Sequence, residues 1–456
     1  MKILHTADWH LGNSIHSVDR TEEQKSFLDW LVQTINTEEI DALIVAGDVF
    51  DTYSPSNVAQ QMYYSFLASL VNSSCKNVII IGGNHDSGKL LEAPKDILNA
   101  INVKVVGRVE NKEIEDMVFR LKGNKEGEEV ICAAVPYMNE LELRKYLTDE
   151  EKDNADTDER KFMDKTFTKV YGSFLEKAEE MAGGKDIPII ATGHLYAAGL
   201  EGRYEGVEKE EKTDDGVAVL DVVGNLGKVH IGCFPERFDY VALGHIHYMT
   251  RVAKQKRVMY SGSPFVMGYD DASVKHHVLV LDIGKEEEKR YVNPTPITVP
   301  EWIRFERIPG TKEEIVDRVK SLAAASKDNS SSGQESEKKL YLELYYNPED
   351  GAYLHEQIES IELPEHIKIV SWNIKKSDNI HTASFGDYDI QSVQNISPED
   401  VVRQLVLSKL TIPKEQAEKM TEEEISKYEE EEVNKYLPHF MKAFDEVAKE
   451  GNDEDN

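Results

Sequence analysis

Cysteine is scarce. Cys75, Cys132 and Cys233 are scattered through 456 residues, and no two form a CxxC pair. That argues against a disulfide framework and against a structural zinc site built on thiolates. Long apolar runs are missing as well. No stretch approaches the ~20 residues that span a bilayer. The opening "MKILHTADWHLG" is too short in its apolar part for a secretory signal. The expectation is a cytoplasmic protein with no membrane partner. Positive charge is in deficit: 53 Lys and Arg face 85 Asp and Glu, a net charge of −32. This excludes a surface that is basic all over. It leaves room for local attraction of metal ions or of a basic partner.

What is present suffices for two or three domains of roughly 100–200 residues each, since 40% of the chain is apolar. In the first half, short apolar strands alternate with amphipathic helices. "KILHTAD", "IDALIVAGD" and "NVIIIGGN" read as strands, and helices are predicted over Thr21–Asn36, Pro55–Val71 and Gly88–Ala100. Further strands follow at "EVICAAVPY", "IPIIATGHL", "DYVALGHIH", "RVMYSGSP" and "HHVLVLDI". This alternation predicts an α/β layered fold. The charged stretches "LTDEEKDNADTDERK" and "EGRYEGVEKEEKTDDG" read as solvated loops.

Proline-rich "YVNPTPITVPEW" marks a boundary near residue 295. Beyond it, "EWIRFERI", "KKLYLELYYN" and "IKIVSWNIKK" alternate with helices over Thr311–Ala325 and near Tyr353–Ser360, a small α+β unit. "SKDNSSSGQESEKK" inside it reads as a flexible polar loop. From Ser397, an N-cap followed by Pro398, the chain reads as helical. Val433, Tyr436, Leu437, Phe440, Met441, Phe444 and Val447 recur there at helical spacing. The expected domains are 1–290, 298–380 and 395–450.

Chemistry gathers where the first-half strands stop. They end in Asp8-Trp9-His10, in Gly47-Asp48 with Asp51 close behind, in Asn84-His85-Asp86, in Gly193-His194 and in Gly244-His245-Ile246-His247. In open α/β sheets, ligands bind beyond the carboxyl ends of the strands. Five strand ends would thus deliver carboxylate, imidazole and amide oxygen to one edge. Such donors suit a pair of borderline-hard divalent cations, Mn²⁺ foremost, with Mg²⁺, Fe²⁺ or Zn²⁺ as alternatives. Residues two apart on an extended chain face one side. Asp8 with His10, and His245 with His247, would then each point a pair of side chains into one pocket. Histidines outside these motifs, among them His5, His16 and the pair His276-His277, read as non-catalytic.

The series "DWH", "GDVFD", "GNHD", "GHL" and "GHIH" resembles the calcineurin-like metallophosphoesterases. "HTADWHLG" followed by "EEQ", "GDVFDTYSPS", "GNHDS", "ATGHL", "FDYVALGHIH" and "YSGSP" resemble, more closely, the bacterial SbcD nuclease family, from Met1 to about Ile283. The resemblance implies a core of two packed sheets flanked by helices, a small α+β capping domain that binds DNA, and C-terminal helices. It implies Asp8, His10 and His247 on one metal ion, Asn84, His194 and His245 on a second, and Asp48 bridging both. His85 would face the scissile phosphate as the catalytic group, with Asp86 in support. Some relatives carry a second histidine shortly after the bridging aspartate; here Asp51 stands in that place.

The implied activity is Mn²⁺-dependent cleavage of DNA, exonucleolytic on duplex ends and endonucleolytic on single strands and hairpins. It would serve break and hairpin processing in repair, recombination and replication. The implied partner is an SbcC-like ABC-type ATPase, docked on residues 395–450, with a homodimer inside a heterotetramer. Two other readings stand beside it. One is a phosphodiesterase of the same superfamily acting on small molecules. The other is a DNA-tethering scaffold with a vestigial site.

Overall fold

In a computed structural model, the described residues are 1–110, 112–147, 159–197, 229–269, 271–286, 289–329, 338–347 and 350–374, with Lys435. Strands β1 (Lys2–Thr6), β2 (Ala42–Ala46), β3 (Asn77–Ile81) and β4 (Val103–Val106) lie side by side and parallel. Strands β5 (Val118–Lys122), β6 (Glu129–Ala133), β7 (Ile189–His194), β8 (Tyr240–Gly244), β9 (Thr250–Val252) and β10 (Gln255–Tyr260) make a second sheet, ordered β5–β6–β7–β8–β10–β9. Strands β11 (His277–Glu286) and β12 (Lys289–Thr298) return antiparallel to the first sheet, which runs β12–β11–β1–β2–β3–β4.

The side-chain period of two explains the layers. Ile3, Ala42, Ile44, Ile79 and Ile81 pack in the core they share with Ile131, Ile189, Ala191 and Val241 of the second sheet. Their sequence neighbours Leu4, Leu43, Val45, Val78 and Ile80 pack in a separate core with Phe27, Leu31, Ile35, Met62 and Phe66 from helices Thr21–Thr37 and Asn57–Ser69. The central strands are therefore apolar on both faces. Each of the Val, Leu, Ile, Phe and Met side chains among them, once buried, contributes about 1.5–3 kcal/mol.

Several elements differ from the sequence expectation. The helix expected over Gly88–Ala100 is two short ones, Gly88–Glu92 and Lys95–Ala100. Pro94 stands between them, and its missing N–H cannot continue a helix. Helix Glu159–Ala182 was not foreseen; it begins inside a stretch read as a solvated loop. Its buried Phe167, Val170, Tyr171, Phe174 and Ala178 keep helical spacing. The run "YVNPTPITVPEW" is largely strand: β12 reaches Thr298, with Pro294 opposite Leu281 and Pro296 opposite Leu279. An edge strand tolerates proline because one side needs no donor. The first domain thus extends past residue 290.

Strands β13 (Ile303–Pro309), β14 (Lys339–Tyr346) and β15 (Ile367–Ile374) form a three-stranded parallel sheet, with helices Lys312–Asn329 and Gly351–Glu359. Ile315, Val319, Leu342, Leu344 and Leu354 fill its own core. A further cluster joins Phe305 and Tyr341 of this sheet to Ile15, Val18, Val266 and Tyr269. Residues 198–228 and, apart from Lys435, the segment 395–450 expected to dock a partner lie outside the described residues. No helix among the described residues is long and apolar enough to cross a membrane.

Candidate active site

The five strand ends come from two sheets. β1, β2 and β3 belong to the first, β7 and β8 to the second. The expectation of one sheet edge is therefore corrected to a cleft between two. Within the first sheet, the loops after β1 and β2 are zipped together. The N–H groups of Asp8, His10 and Leu11 donate to the carbonyls of Gly47, Asp48 and Val49 at 3.0, 3.0 and 2.9 Å. The chain is not extended there. Asp8, His10, Asp48 and His245 have φ of 54°, 42°, 50° and 100°. The two-residue rule for strands does not apply to them; left-handed turns aim these side chains. Such backbone costs about 1–3 kcal/mol per residue and persists where surrounding bonds over-determine it. Gly47, at φ 91°, cannot be replaced cheaply either, since a Cβ there would lie 2.3 Å from His194 Nδ1.

Both central carboxylates are divided in the same way. Asp8 Oδ1 accepts from the N–H of His245 at 2.9 Å. Asp8 Oδ2 is buried without a hydrogen-bond partner among the described residues. Asp48 Oδ1 accepts from the N–H of His85 at 2.9 Å. Asp48 Oδ2 lies 3.2 Å from His194 Nε2 and 3.6 Å from His10 Nε2. One oxygen of each is pinned by the backbone of another motif, and the other faces the nitrogens. Asn84 Oδ1 stands 3.0 Å from both His194 Nε2 and His245 Nδ1. Donor atoms of Asp8, His10 and His247 lie within 4.8 Å of one another, as do those of Asp8, Asp48 and His194.

Second partners set the rings. His194 Nδ1 donates to the carbonyl of Ala46 at 2.9 Å, which fixes the ring and turns Nε2 toward Asp48 and Asn84. His85 Nδ1 is likewise held by the carbonyl of Asp51 at 2.8 Å, leaving Nε2 for other work. Asp86 is fully engaged, accepting from the N–H groups of Gly83, Val49 and Phe50 at 2.9, 3.1 and 2.9 Å. The Asp51 carboxylate lies 3.3 Å from His10 Nδ1 and accepts from Asn13 Nδ2 at 3.1 Å. Asn13 Oδ1 in turn accepts from Arg20 at 3.3 Å. Arg20 is buried and clamps Glu23 and the Val266 carbonyl. Lys89 is exposed, and Arg108 donates to Tyr53 Oη.

Charge in the cleft is unevenly settled. Burial pushes Asp8 up to about 7, although the charge of His194 pulls the other way. Burial also opposes ionisation of Asp48, yet His194 beside it holds this carboxyl well below the ordinary range. Burial disfavours a charged His194, but the Asp48 carboxylate, with Asp8 and the Ala46 carbonyl, raises the ring to about 9. Burial drives His245 and His247 down to about 3. These two rings are neutral lone-pair donors across the ordinary pH range, the form that metal ligation needs. An orphaned carboxylate oxygen, neutral imidazoles and an amide oxygen fit borderline-hard divalent ions.

Sequence reading missed Asn13 and the carbonyls of Ala46 and Asp51. Asn13, two residues past "DWHL", had only its nearness to a motif to mark it. A main-chain carbonyl carries no residue signature at all.

A model of the calcineurin-like phosphoesterase family matches residues 1–249. The SbcD component of the nuclease SbcCD from Escherichia coli (strain K12) is 34% identical over 303 residues, covering 66% of this chain and 70% of that protein. Its counterpart in Rhodobacter capsulatus is 30% identical over 307 residues, with the same 66% and 70% coverage. That of Bacillus subtilis (strain 168) is 29% identical over 289 residues, 63% of this chain and 68% of its own. Matches of this extent establish that the chain belongs to the calcineurin-like phosphoesterases and, among them, to the SbcD nuclease subunits.

Proposed function

We propose that this protein is the nuclease subunit of a DNA-processing complex, hydrolysing phosphodiesters with two divalent cations, Mn²⁺ foremost. The observation that carries the reading is the position of Asp48 Oδ2, within 3.2 Å of His194 and 3.6 Å of His10. Asp8, His10 and His247 form the donor set on one side of it. Asn84, His194 and His245 form the set on the other, and Asp48 serves both. When bound, such ions polarise the phosphate and lower the pKa of water near it.

The chain's own residues do the rest. Asp8 and Asp48 supply the negative charge that retains the cations, each fixed by a backbone N–H. Asn84 contributes an oxygen without adding charge. His85, its Nδ1 held by the Asp51 carbonyl, directs Nε2 toward the substrate side, where it stabilises developing charge or protonates the departing oxygen. Asp86 keeps the "GNHD" turn against the Asp48 loop.

With a net charge of −32, the chain gains little from general attraction to a polyanion. Most of the duplex grip therefore falls to a partner. We assign this to an SbcC-like ATPase bound through 395–450, with the 298–380 unit capping the cleft. Duplex ends, hairpins and single strands are the substrate classes.

The test is cleavage of blunt-ended and hairpin DNA with Mn²⁺ or a chelator, with and without the ATPase, beside a cyclic nucleotide. Metal-dependent DNA cleavage with an inert cyclic nucleotide is the expected outcome. Turnover of the cyclic nucleotide alone would assign the site to small molecules. Metal binding without any cleavage would leave a scaffold.

A further inference from the structure

Tyr53 is 52% exposed, a large aromatic ring that no core requires at that place. It is nevertheless held. Arg108 Nη2 donates to Tyr53 Oη at 2.8 Å, and the guanidinium carbon lies 5.9 Å from the ring centroid. Arg108 is itself braced. Its Cγ packs on Gly88, where an added Cβ would meet it at 2.6 Å. Its Nη1 stands 3.6 Å from Glu142 Oε2.

Both members of the pair are tied to His85. Asp51, whose carbonyl holds the His85 ring at 2.8 Å, is two residues before Tyr53. Two residues span at most about 7 Å of chain. Gly88, under Arg108, is three residues after His85. The exposed ring therefore stands on the His85 side of the cleft, tethered from two directions.

We propose that Tyr53, braced by Arg108, is a stacking platform for the nucleobase next to the phosphodiester at His85. This rests on the nuclease reading. Every base offers a π-face, so an aromatic ring beside the cleavage point reads unpaired nucleotides without regard to sequence. Arg108 keeps the ring upright and adds positive charge for the neighbouring phosphate. A base inside a duplex has both faces covered and must first unstack. The platform thus favours single strands, hairpin loops and frayed ends over intact duplex.

The experiment uses the full chain with Mn²⁺ and two oligomers of equal length. One is oligothymidylate. The other is an all-abasic chain with the same phosphates and no bases. The measured quantity is the ratio of kcat/KM for the first to that for the second. Stacking contributes about 1–3 kcal/mol per base, so Tyr53→Ala should lower this ratio by about 5-fold to about 140-fold. Tyr53→Trp should keep it within about 3-fold. An unchanged ratio in Tyr53→Ala overturns the platform. So does a lower sedimentation coefficient for that variant, which would show that a second copy of the chain covers the ring. If the wild type cleaves neither oligomer, the nuclease reading itself fails, and the platform with it.

Discussion

His85 and Asp48 are joined through the main chain: the His85 N–H donates to Asp48 Oδ1 at 2.9 Å, while the His85 ring is held elsewhere, by the Asp51 carbonyl. The residue has two separable parts. Its backbone positions the Asp48 carboxylate, and its ring is oriented separately, with Nε2 outside both bonds.

His85→Ala should therefore leave metal binding nearly intact and remove most of the turnover. The N–H that holds Asp48 survives the substitution. Loss of a positioned acid–base group costs about 10²–10⁴-fold in rate. Titration calorimetry with Mn²⁺ beside cleavage kinetics checks both halves. Retained turnover would take His85 out of the mechanism, and lost metal would mean that its ring is a ligand.

Gly83→Ala acts on the same carboxylate from the other side. A Cβ at Gly83 would lie 2.1 Å from Asp48 Oδ1 and 2.4 Å from the Asp48 nitrogen. Neither atom can yield, because the nitrogen is main chain and the oxygen is pinned by His85. We expect at least a tenfold loss of metal affinity and about 1–3 kcal/mol of destabilisation, the usual range for overpacking. Calorimetry and urea unfolding measure these. Unchanged values in both would show that Asp48 is not rigidly held.

Asn13→Ala tests the chain of contacts behind His10. Asn13 Nδ2 donates to the Asp51 carboxylate, which faces His10 Nδ1. Removing a partner that orients a ligand costs about 10–100-fold in metal affinity. The loss should fall on one of two Mn²⁺ equivalents in a calorimetric titration, since His194 and His245 are reached by other contacts. An equal loss at both equivalents would refute the assignment.

These sites also show what the sequence made legible. Apolar runs such as "VIII" and "ALIVA" announced buried strands, and polar residues after their ends announced the cleft, because strand termini are where an α/β fold can spare side chains from packing. Other features depend on long-range pairing. That β1 and β8 lie in different sheets is a matter of partner choice, which short apolar strands do not encode individually. The positive φ of Asp8, His10, Asp48 and His245 is imposed by bonds to distant backbone, so local preference pointed to extended chain. Helix Glu159–Ala182 hid behind the charges of its first turn. Asp51 was legible as a nearby acid, but its carbonyl, which holds His85, was not.

His5 reads from sequence as non-catalytic, and the fold gives it a different role. It is fully buried between the sheets, with Nδ1 3.1 Å from Tyr240 Oη and Nε2 3.2 Å from the Leu243 carbonyl. Burial lowers its pKa from 6.5 to about 3, against the pull of the Leu243 carbonyl. A base whose pKa falls on folding binds more protons unfolded than folded in the interval between the two values. Stability therefore rises with pH there: the contribution is complete above about 6.5 and drains away as pH falls toward 3. Between about pH 7 and about pH 5 this amounts to about 2 kcal/mol. His5→Gln keeps a hydrogen-bonding side chain that does not titrate. It should be less stable than wild type at neutral pH, and its stability should fall by about 2 kcal/mol less over that interval. Urea unfolding at both pH values, with chelator throughout, isolates the term, because contributions from the other histidines cancel in the difference. Parallel losses in the two proteins would mean that His5 is already protonated in the fold, with Tyr240 and Leu243 both accepting from it.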